Sequence, residues 1–213
     1  MHIREQSSHS SIFHLNLCLF FLLFFTTVCS ARDIRNKVEN FKALAGCTVI
    51  EGNLQILLID RAEAWEYDDL SFPLLREITG YLVLFRVHNM RTLAHIFPNL
   101  AVIRGDTLFH NYALVVYEML ELQEIGLPSL ANITRGAVRI EKNPSLCYMD
   151  TIDWSMILHE GVEANFIVDN KDQEDCLNFC PEDKLGRRTC RRHGAAQELC
   201  WTNDYCQKGE SNC

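Results

Sequence analysis

One phrase recurs three times in the middle of the chain and constrains the fold more than any other feature. It reads FPLLREITG at residues 72–80, FPNLAVIRG at 97–105 and LPSLANITRG at 127–136: an apolar residue, a proline, then Leu, Ile and Gly. Repeats at intervals of about 20 to 50 residues are typical of solenoid proteins. A single coil cannot bury its own apolar side chains, so we expect the coils to stack around a shared interior.

A short apolar strand follows each phrase, at residues 82–85, 113–116 and 137–140, and residues 54–59 read as the same strand without its phrase. Equivalent strands one coil apart are expected to stack in parallel, with alternate side chains on opposite faces. The inward set is Ile56, Leu84, Leu114, Val116, Val138 and Ile140. The outward set is Gln55, Leu57, Val83, Phe85, Val115, Tyr117, Arg139 and Glu141.

The outward set forms an apolar strip edged by polar and charged groups. Monomers seldom expose such a strip without a use for it, so one interpretation is a binding face. The alternative is that residues 33–44 form a helix that covers the strip, since Ile34, Val38, Phe41 and Leu44 lie at helical spacing. Patterning alone leaves both interpretations open.

The N-terminus and the cysteines indicate an oxidising, extracellular compartment. A polar start precedes an apolar run at residues 15–25, which is typical of a secretory signal peptide, with a retained signal anchor as the alternative. Six of the ten cysteines lie between residues 176 and 213, which predicts a disulfide framework rather than a zinc site, because suitably spaced histidines are lacking. Asn132-Ile-Thr134 is a glycosylation sequon.

Several function classes are disfavoured. The net charge of −8 provides no basic surface for nucleic acid. No later stretch is long and apolar enough to span a membrane. The chain carries no hydrolase, phosphate-binding or kinase motif, so we expect neither an enzyme nor a cofactor or metal site.

The motifs RDIRN (32–36), CTVIEGNLQILLI (47–59), DLSFP (69–73), NYALVVYEM (111–119), NITRGAVRIEKN (132–143) and CWTNDYCQK (200–208) closely resemble the insulin receptor family. The resemblance covers its first leucine-rich L domain and the start of its furin-like cysteine-rich region. It implies a mainly β chain: a right-handed parallel β-helix with a short N-terminal helix, followed by a truncated disulfide-rich module. The implied units are a signal peptide (1–28, cleaved between 27 and 31), an L domain (29–177) and the start of the cysteine-rich region (178–213).

In that family the L-domain sheet binds insulin or an insulin-like peptide, helped by a helical segment from the far end of the receptor α chain. Carried over by motif, the implied contact set is Asp33, Arg35, Asn36, Gln55, Leu57, Leu58, Val83, Phe85, Asn111, Tyr112, Val115, Tyr117, Glu118, Arg139, Glu141 and Lys142. Much of it coincides with the outward set. Phe85 and Tyr117 could instead be core residues, and Arg139, Glu141 and Lys142 a solvated charge cluster.

Two positions depart from the family pattern. Asp60 stands where an aromatic residue is usual, and His110 replaces one of a Phe pair. Losing an apolar contact of that size weakens binding by roughly 1 to 3 kcal/mol, so a divergent insulin-like peptide is one expected ligand.

The resemblance also implies the disulfides Cys29–Cys47, Cys147–Cys176, Cys180–Cys200 and Cys190–Cys206. Cys213 would then be unpaired, which indicates a fragment of a longer chain or a dimer joined through Cys213. Cleavage after Ser30 would discard Cys29, so a cut just before Val28 or Cys29 is favoured.

Three functions remain in competition. The first is the extracellular, hormone-binding N-terminal portion of an insulin-like receptor, whose full-length parent would be a tyrosine kinase and whose partners would include the rest of the ectodomain. The second is a short secreted decoy that sequesters insulin-like peptides. The third is a structural or adhesion solenoid that binds no hormone.

Overall fold

The computed structural model describes residues 26–190, 192–193 and 197–208. Almost all of the predicted signal peptide, and Cys213, lie outside these residues. The strands are β1 (Val28–Arg35), β2 (Val49–Ile59), β3 (Glu77–Ile78), β4 (Leu82–Val87), β5 (Val102–Ile103), β6 (Tyr112–Tyr117), β7 (Asn132–Ile133), β8 (Ala137–Glu141), β9 (Phe166–Val168), β10 (Arg192–His193) and β11 (Gln197–Glu198). Short 3₁₀ helices span Val38–Leu44, Ala64–Tyr67, Trp154–Met156, Val162–Ala164 and Gln173–Asp175.

Nine strands form one parallel sheet that is organised around the long strand β2. The first half of β2 pairs with β3, and its second half pairs with β4. Two columns of strands therefore stack on the same side of β2: β3, β5 and β7 form one column, and β4, β6, β8 and β9 form the other. Strand β1 pairs with the free side of β2. The parallel stacking of equivalent strands confirms the solenoid that the repeats predict.

The repeated phrase supplies the interior of each coil. The Leu and Ile that align in the three phrases are buried: Leu75 and Ile78, Leu100 and Ile103, and Leu130 and Ile133. The closing glycine is required at Gly105, where φ is +70° and a Cβ atom would lie 2.1 Å from the carbonyl oxygen of Arg135. Only glycine accepts both this backbone conformation and this close approach to the next coil.

A buried asparagine joins successive coils beyond the strands. The Asn143 side chain accepts a hydrogen bond from the Met119 backbone N–H at 2.9 Å. Its amide donates to the Val116 carbonyl at 3.1 Å and to Oδ1 of Asn170 at 2.8 Å. Asn143 therefore satisfies backbone groups at a turn where the ladder ends, which buried polar groups require.

The structure does not support a helix over residues 33–44. Residues 28–35 form strand β1, in which Ile34 pairs with Ile56, and only Val38–Leu44 is helical, as a 3₁₀ helix. The buried positions 38, 41 and 44 recur every three residues, which is the period of a 3₁₀ helix. These side chains pack into the main core, so the segment does not cover the outward strip.

Four disulfides link the cysteines in the pairs that the resemblance implies: Cys29–Cys47, Cys147–Cys176, Cys180–Cys200 and Cys190–Cys206. The cysteine-rich tail is anchored to the solenoid by Trp201, which is fully buried and packs edge-on against Trp154 at 5.8 Å. Within the described ranges, no helix has the length and apolar character needed to cross a membrane.

Candidate functional site

The parallel register aligns the outward side chains in two rows across the sheet. The first row is Gln55, Val83, Val115 and Arg139, and the second is Leu57, Phe85, Tyr117 and Glu141. Strand β1 extends the rows with Asp33 and Arg35, and β9 extends them with Phe166 and Val168. The inward residues between these rows, such as Ile56 and Leu84, are fully buried. The alternation predicted from the sequence is confirmed.

The outward apolar residues form a cluster that is separate from the main core. Tyr81, Val83 and Val115 are its buried members, and Leu57, Phe85, Tyr112 and Tyr117 pack against them. We call these seven residues the outer cluster. Five of them border an open depression of about 380 Å³: Leu57, Val83, Phe85, Val115 and Tyr117. Gln55, Phe109, His110 and Arg139 also line it.

The two valines of the outer cluster, Val83 and Val115, are shielded by aromatic rings of the same cluster and not by a second layer of described residues. The rings of Phe85 and Tyr117 stack in parallel with centroids 5.4 Å apart. Val83 and Val115, their neighbours in the adjacent row, are only 5% and 3% exposed. The sheet thus presents a preformed apolar surface with half-buried aromatic rings, and Tyr is among the residue types enriched at binding hot spots.

Arg139 is packed among aromatic rings at one side of the outer cluster. Its guanidinium carbon lies 5.7 Å, 5.8 Å and 5.2 Å from the ring centroids of Tyr112, Tyr117 and Phe166. Its Nε donates a hydrogen bond of 2.9 Å to Oε2 of Glu141, which is only 8% exposed. This packing distinguishes the pair from a solvated charge cluster.

A column of left-handed residues follows the second outward row. The residues with positive φ at this level are Asn36, Leu58, Arg86, Glu118, Lys142 and Asp169. Non-glycine residues adopt this conformation at a cost of about 1 kcal/mol or more each, and they cluster at functional sites. The repeated conformation lies at the same level in, or directly after, six strands: β1, β2, β4, β6, β8 and β9. We call its polar and charged members the rim of the outer cluster.

Charged side chains of this rim are engaged with the cluster and with one another. Arg86 Nε donates to Oε2 of Glu118 at 2.6 Å, which lowers the pKa of Glu118, and the guanidinium lies 4.9 Å from the Phe85 ring centroid. Lys142 donates to the Tyr117 hydroxyl at 3.2 Å, and this hydrogen bond raises the pKa of Lys142.

The remaining implied contact residues border the same face. Asp33 and Arg35 form an exposed ion pair on β1, and this contact raises the pKa of Arg35. Asn111 is exposed immediately before β6.

The sequon residue Asn132 lies in β7, in the other column of strands, where its Oδ1 accepts a hydrogen bond from the Thr134 hydroxyl at 3.3 Å.

Sequence reasoning missed four residues of the face. Tyr81 belongs to the outer cluster, and its hydroxyl accepts a hydrogen bond from Gln55 Nε2 at 2.7 Å. Phe109 packs edge-on against Tyr81 at 5.7 Å, and Phe166 and Arg86 contact cluster members as described above. Extending the alternation two residues before Val83 would have found Tyr81. Aligning the repeats at Leu58 and Glu118 would have found Arg86.

The chain was compared with known proteins. The receptor L domain family matches residues 46–158. The chain is 60% identical over 182 residues to the insulin-like peptide receptor of Branchiostoma lanceolatum, covering 85% of this chain and 13% of that protein. It is 52% identical over 185 residues to the insulin receptor of Xenopus laevis, and 51% over 179 residues to the insulin-like growth factor 1 receptor of the same species. These matches cover 85% and 83% of this chain but only 14% and 13% of the relatives.

A stack of parallel coils with an extended exposed face is the architecture of solenoid proteins, which use such surfaces for binding. The chain belongs to the receptor L domain family, in its insulin receptor branch, and corresponds to the N-terminal L domain of those receptors. The family resemblance stated from the motifs is therefore confirmed. The chain spans only about an eighth of the length of these relatives.

Proposed function

We propose that the outer face of the sheet binds an insulin-like peptide in the extracellular space. The observation that carries this proposal is the outer cluster: seven apolar and aromatic residues, separate from the main core, five of which border an open depression. Exposed apolar surfaces of this kind, rimmed by polar residues, are typical of protein interaction sites. The names of the relatives, which include an insulin-like peptide receptor and an insulin receptor, support the same class of ligand.

Affinity would come chiefly from the outer cluster and orientation from the rim. Rim charges are already paired within the chain, as in Arg86–Glu118. Ion pairs in exposed positions contribute little energy but select the approach of a partner. We retain the full set of sixteen implied contacts and add Arg86, Tyr81 and Phe109.

The wider organisation is part of the proposal. We assign residues 29–177 to the L domain and 178–213 to the start of a cysteine-rich region, with secretion directed by residues 1–28. Asn132 would carry an N-linked glycan on the column of strands that does not form the outer cluster. The remaining ectodomain of a longer receptor would be the second partner of this chain.

The test is a calorimetric titration of the secreted chain with insulin and with an insulin-like growth factor. We expect a Kd on the order of micromolar for at least one peptide, because the chain presents one surface without the additional contacts of a multivalent site. Reduced and alkylated peptide, which has lost its fold, is the matched control. Absence of heat from both folded peptides at concentrations of about 100 μM would refute the proposal.

A further inference from the structure

A short hairpin in the cysteine-rich tail, residues 181–189, carries two adjacent arginines. Its two sides meet at an antiparallel bridge between Glu182 and Arg188. The side chains of Arg187 and Arg188 are 74% and 55% exposed, and Leu185 at the tip is 76% exposed. We call this segment the tail hairpin. It presents a pair of basic residues at the surface, in a loop rather than in a coil of the solenoid.

The tail hairpin is held together chiefly by one side chain, Asp183. The backbone N–H groups of Leu185 and Arg187 donate to Asp183 Oδ1 at 2.8 Å and 2.9 Å. Arg187 Nε donates to Oδ2 at 2.6 Å. In the part of the chain that the structure describes, the hydrogen bonds of residues 183–187 all lie within the hairpin. The hairpin can therefore open while the solenoid stays folded.

The arginine pair has one contact outside the hairpin that opening must break. Arg188 Nε lies 3.8 Å from Oε2 of Glu198 in an ion pair. The distance is longer than a hydrogen bond, and the arginine side chain is more than half exposed. Ion pairs of exposed side chains contribute little stability, so this contact does not lock the hairpin shut.

Other arginines are exposed to a similar extent but belong to the solenoid. The side chains of Arg104 and Arg135 are 52% and 60% exposed. The Arg104 N–H donates to the Ile78 carbonyl at 2.9 Å, and the Arg135 N–H donates to the Arg104 carbonyl at 3.1 Å, so both are hydrogen-bonded from coil to coil. A protease needs several residues in an extended, accessible conformation, which exposed loop tips provide and packed coils do not. Local opening, and not exposure alone, distinguishes the tail hairpin.

We propose that Arg187-Arg188 is a processing site for an endoprotease that recognises paired basic residues and cuts after the second one. Water adds across the peptide bond between Arg188 and Thr189, which leaves a carboxylate on Arg188 and an amino group on Thr189. The protease supplies the catalytic groups, and the chain supplies the opened hairpin. The other arginine pair, at 191–192, begins at a residue outside the described ranges and is not part of the proposal.

The cut chain would remain one covalent molecule. The Cys180–Cys200 disulfide joins the two fragments, because Cys180 lies before the cut and Cys200 after it. Trp201, in the second fragment, is fully buried and packs against Trp154 of the solenoid. No member of the outer cluster belongs to the tail hairpin. The proposed product is a two-chain form with its tail still anchored and its outer face unchanged.

The test is limited digestion of the folded chain with kexin, a protease that cleaves after paired basic residues. We expect one early product that runs as a single species without reductant. Reduction should release a fragment that begins at Thr189, which mass spectrometry identifies. The double variant Arg187→Gln, Arg188→Gln should resist this cut. Arg135→Gln, which changes a comparably exposed arginine of the solenoid, is the matched control and should be cut at the original rate.

Asp183→Ala tests the opening step separately. It removes the acceptor that closes the tail hairpin, so we expect cleavage at the same bond to become several-fold faster. Circular dichroism establishes that each variant is folded before digestion, and the test does not depend on peptide binding by the outer face. Resistance of the folded original chain, a first cut at any other bond, or separation of the fragments without reductant would overturn the proposal. Slower cleavage of Asp183→Ala would also overturn it.

Discussion

Replacing Phe85 with alanine should separate binding from folding. Phe85 lies in the middle of the outer cluster, where its ring stacks on Tyr117 at 5.4 Å and lies beneath the Arg86 guanidinium. It belongs to the outer cluster, whereas the preceding residue, Leu84, is fully buried in the main core. Adjacent residues on one strand therefore have opposite expected roles.

The expected magnitudes follow from this placement. Phe85 is already partly buried in the free chain, so a ligand can cover only the remaining ring surface. We expect Phe85→Ala to weaken the insulin-like peptide by about 2 kcal/mol, or about 30-fold in Kd. The loss of the Tyr117 stacking partner should lower the free energy of unfolding by about 1 kcal/mol.

Leu84→Ala is the matched control. It removes a fully buried side chain from the main core, so we expect the free energy of unfolding to fall by about 2 to 5 kcal/mol. Any chain that remains folded should bind the peptide with nearly unchanged affinity. Calorimetric titration gives the Kd of each variant, and thermal unfolding followed by circular dichroism gives its stability.

Two outcomes would refute this reasoning. Unchanged affinity in a folded Phe85→Ala chain would show that the outer cluster does not contact the peptide. Unfolding of Phe85→Ala to the same extent as Leu84→Ala would show that the outer cluster is part of the structural core.

Three other changes have defined outcomes. Asn143→Ala should lower the free energy of unfolding by about 3 kcal/mol, and Tm by roughly 6 to 12 °C in a thermal melt, because buried groups at Val116 and Met119 lose their partner. Burial raises the pKa of Glu124, so the folded chain binds the carboxyl proton more tightly than the unfolded chain, and the free energy of unfolding falls as pH rises from the unfolded-state pKa to the folded-state pKa. Glu124→Gln should therefore raise the free energy of unfolding at pH 7 by at most about 1 kcal/mol after allowance for solvent screening, with no gain in acid. Thermal melts across pH check this. Arg86→Ala should leave Tm nearly unchanged and weaken peptide binding several-fold at low salt, with a smaller effect at high salt; titrations at two ionic strengths check this.

The repeats and the period-two alternation predicted much of this fold and of its face. They were sufficient because each phrase places its Leu and Ile inside, and a parallel register then forces residues such as Val83 and Val115 into one outward row. The helical spacing of Ile34, Val38, Phe41 and Leu44 did not produce a helix over residues 33–44, because Ile34 faces inward from strand β1. Only the later three positions belong to a helix.

Other features depended on contacts that no local pattern contains. Phe109 reaches the face through a tight turn that pairs it with Tyr112. Phe166 lies on a strand with no preceding phrase, and only its register opposite Arg139 brings it to the face.

Hydrogen exchange of the chain, with and without saturating insulin-like peptide, tests whether the outer face of the sheet is the binding surface. We expect added protection in the second half of β2, in β4, β6 and β8, and in the segment around Phe109, with no change in β3, β5 and β7. Protection confined to the β3–β5–β7 column or to the cysteine-rich tail, with the outer strands unchanged, would contradict it.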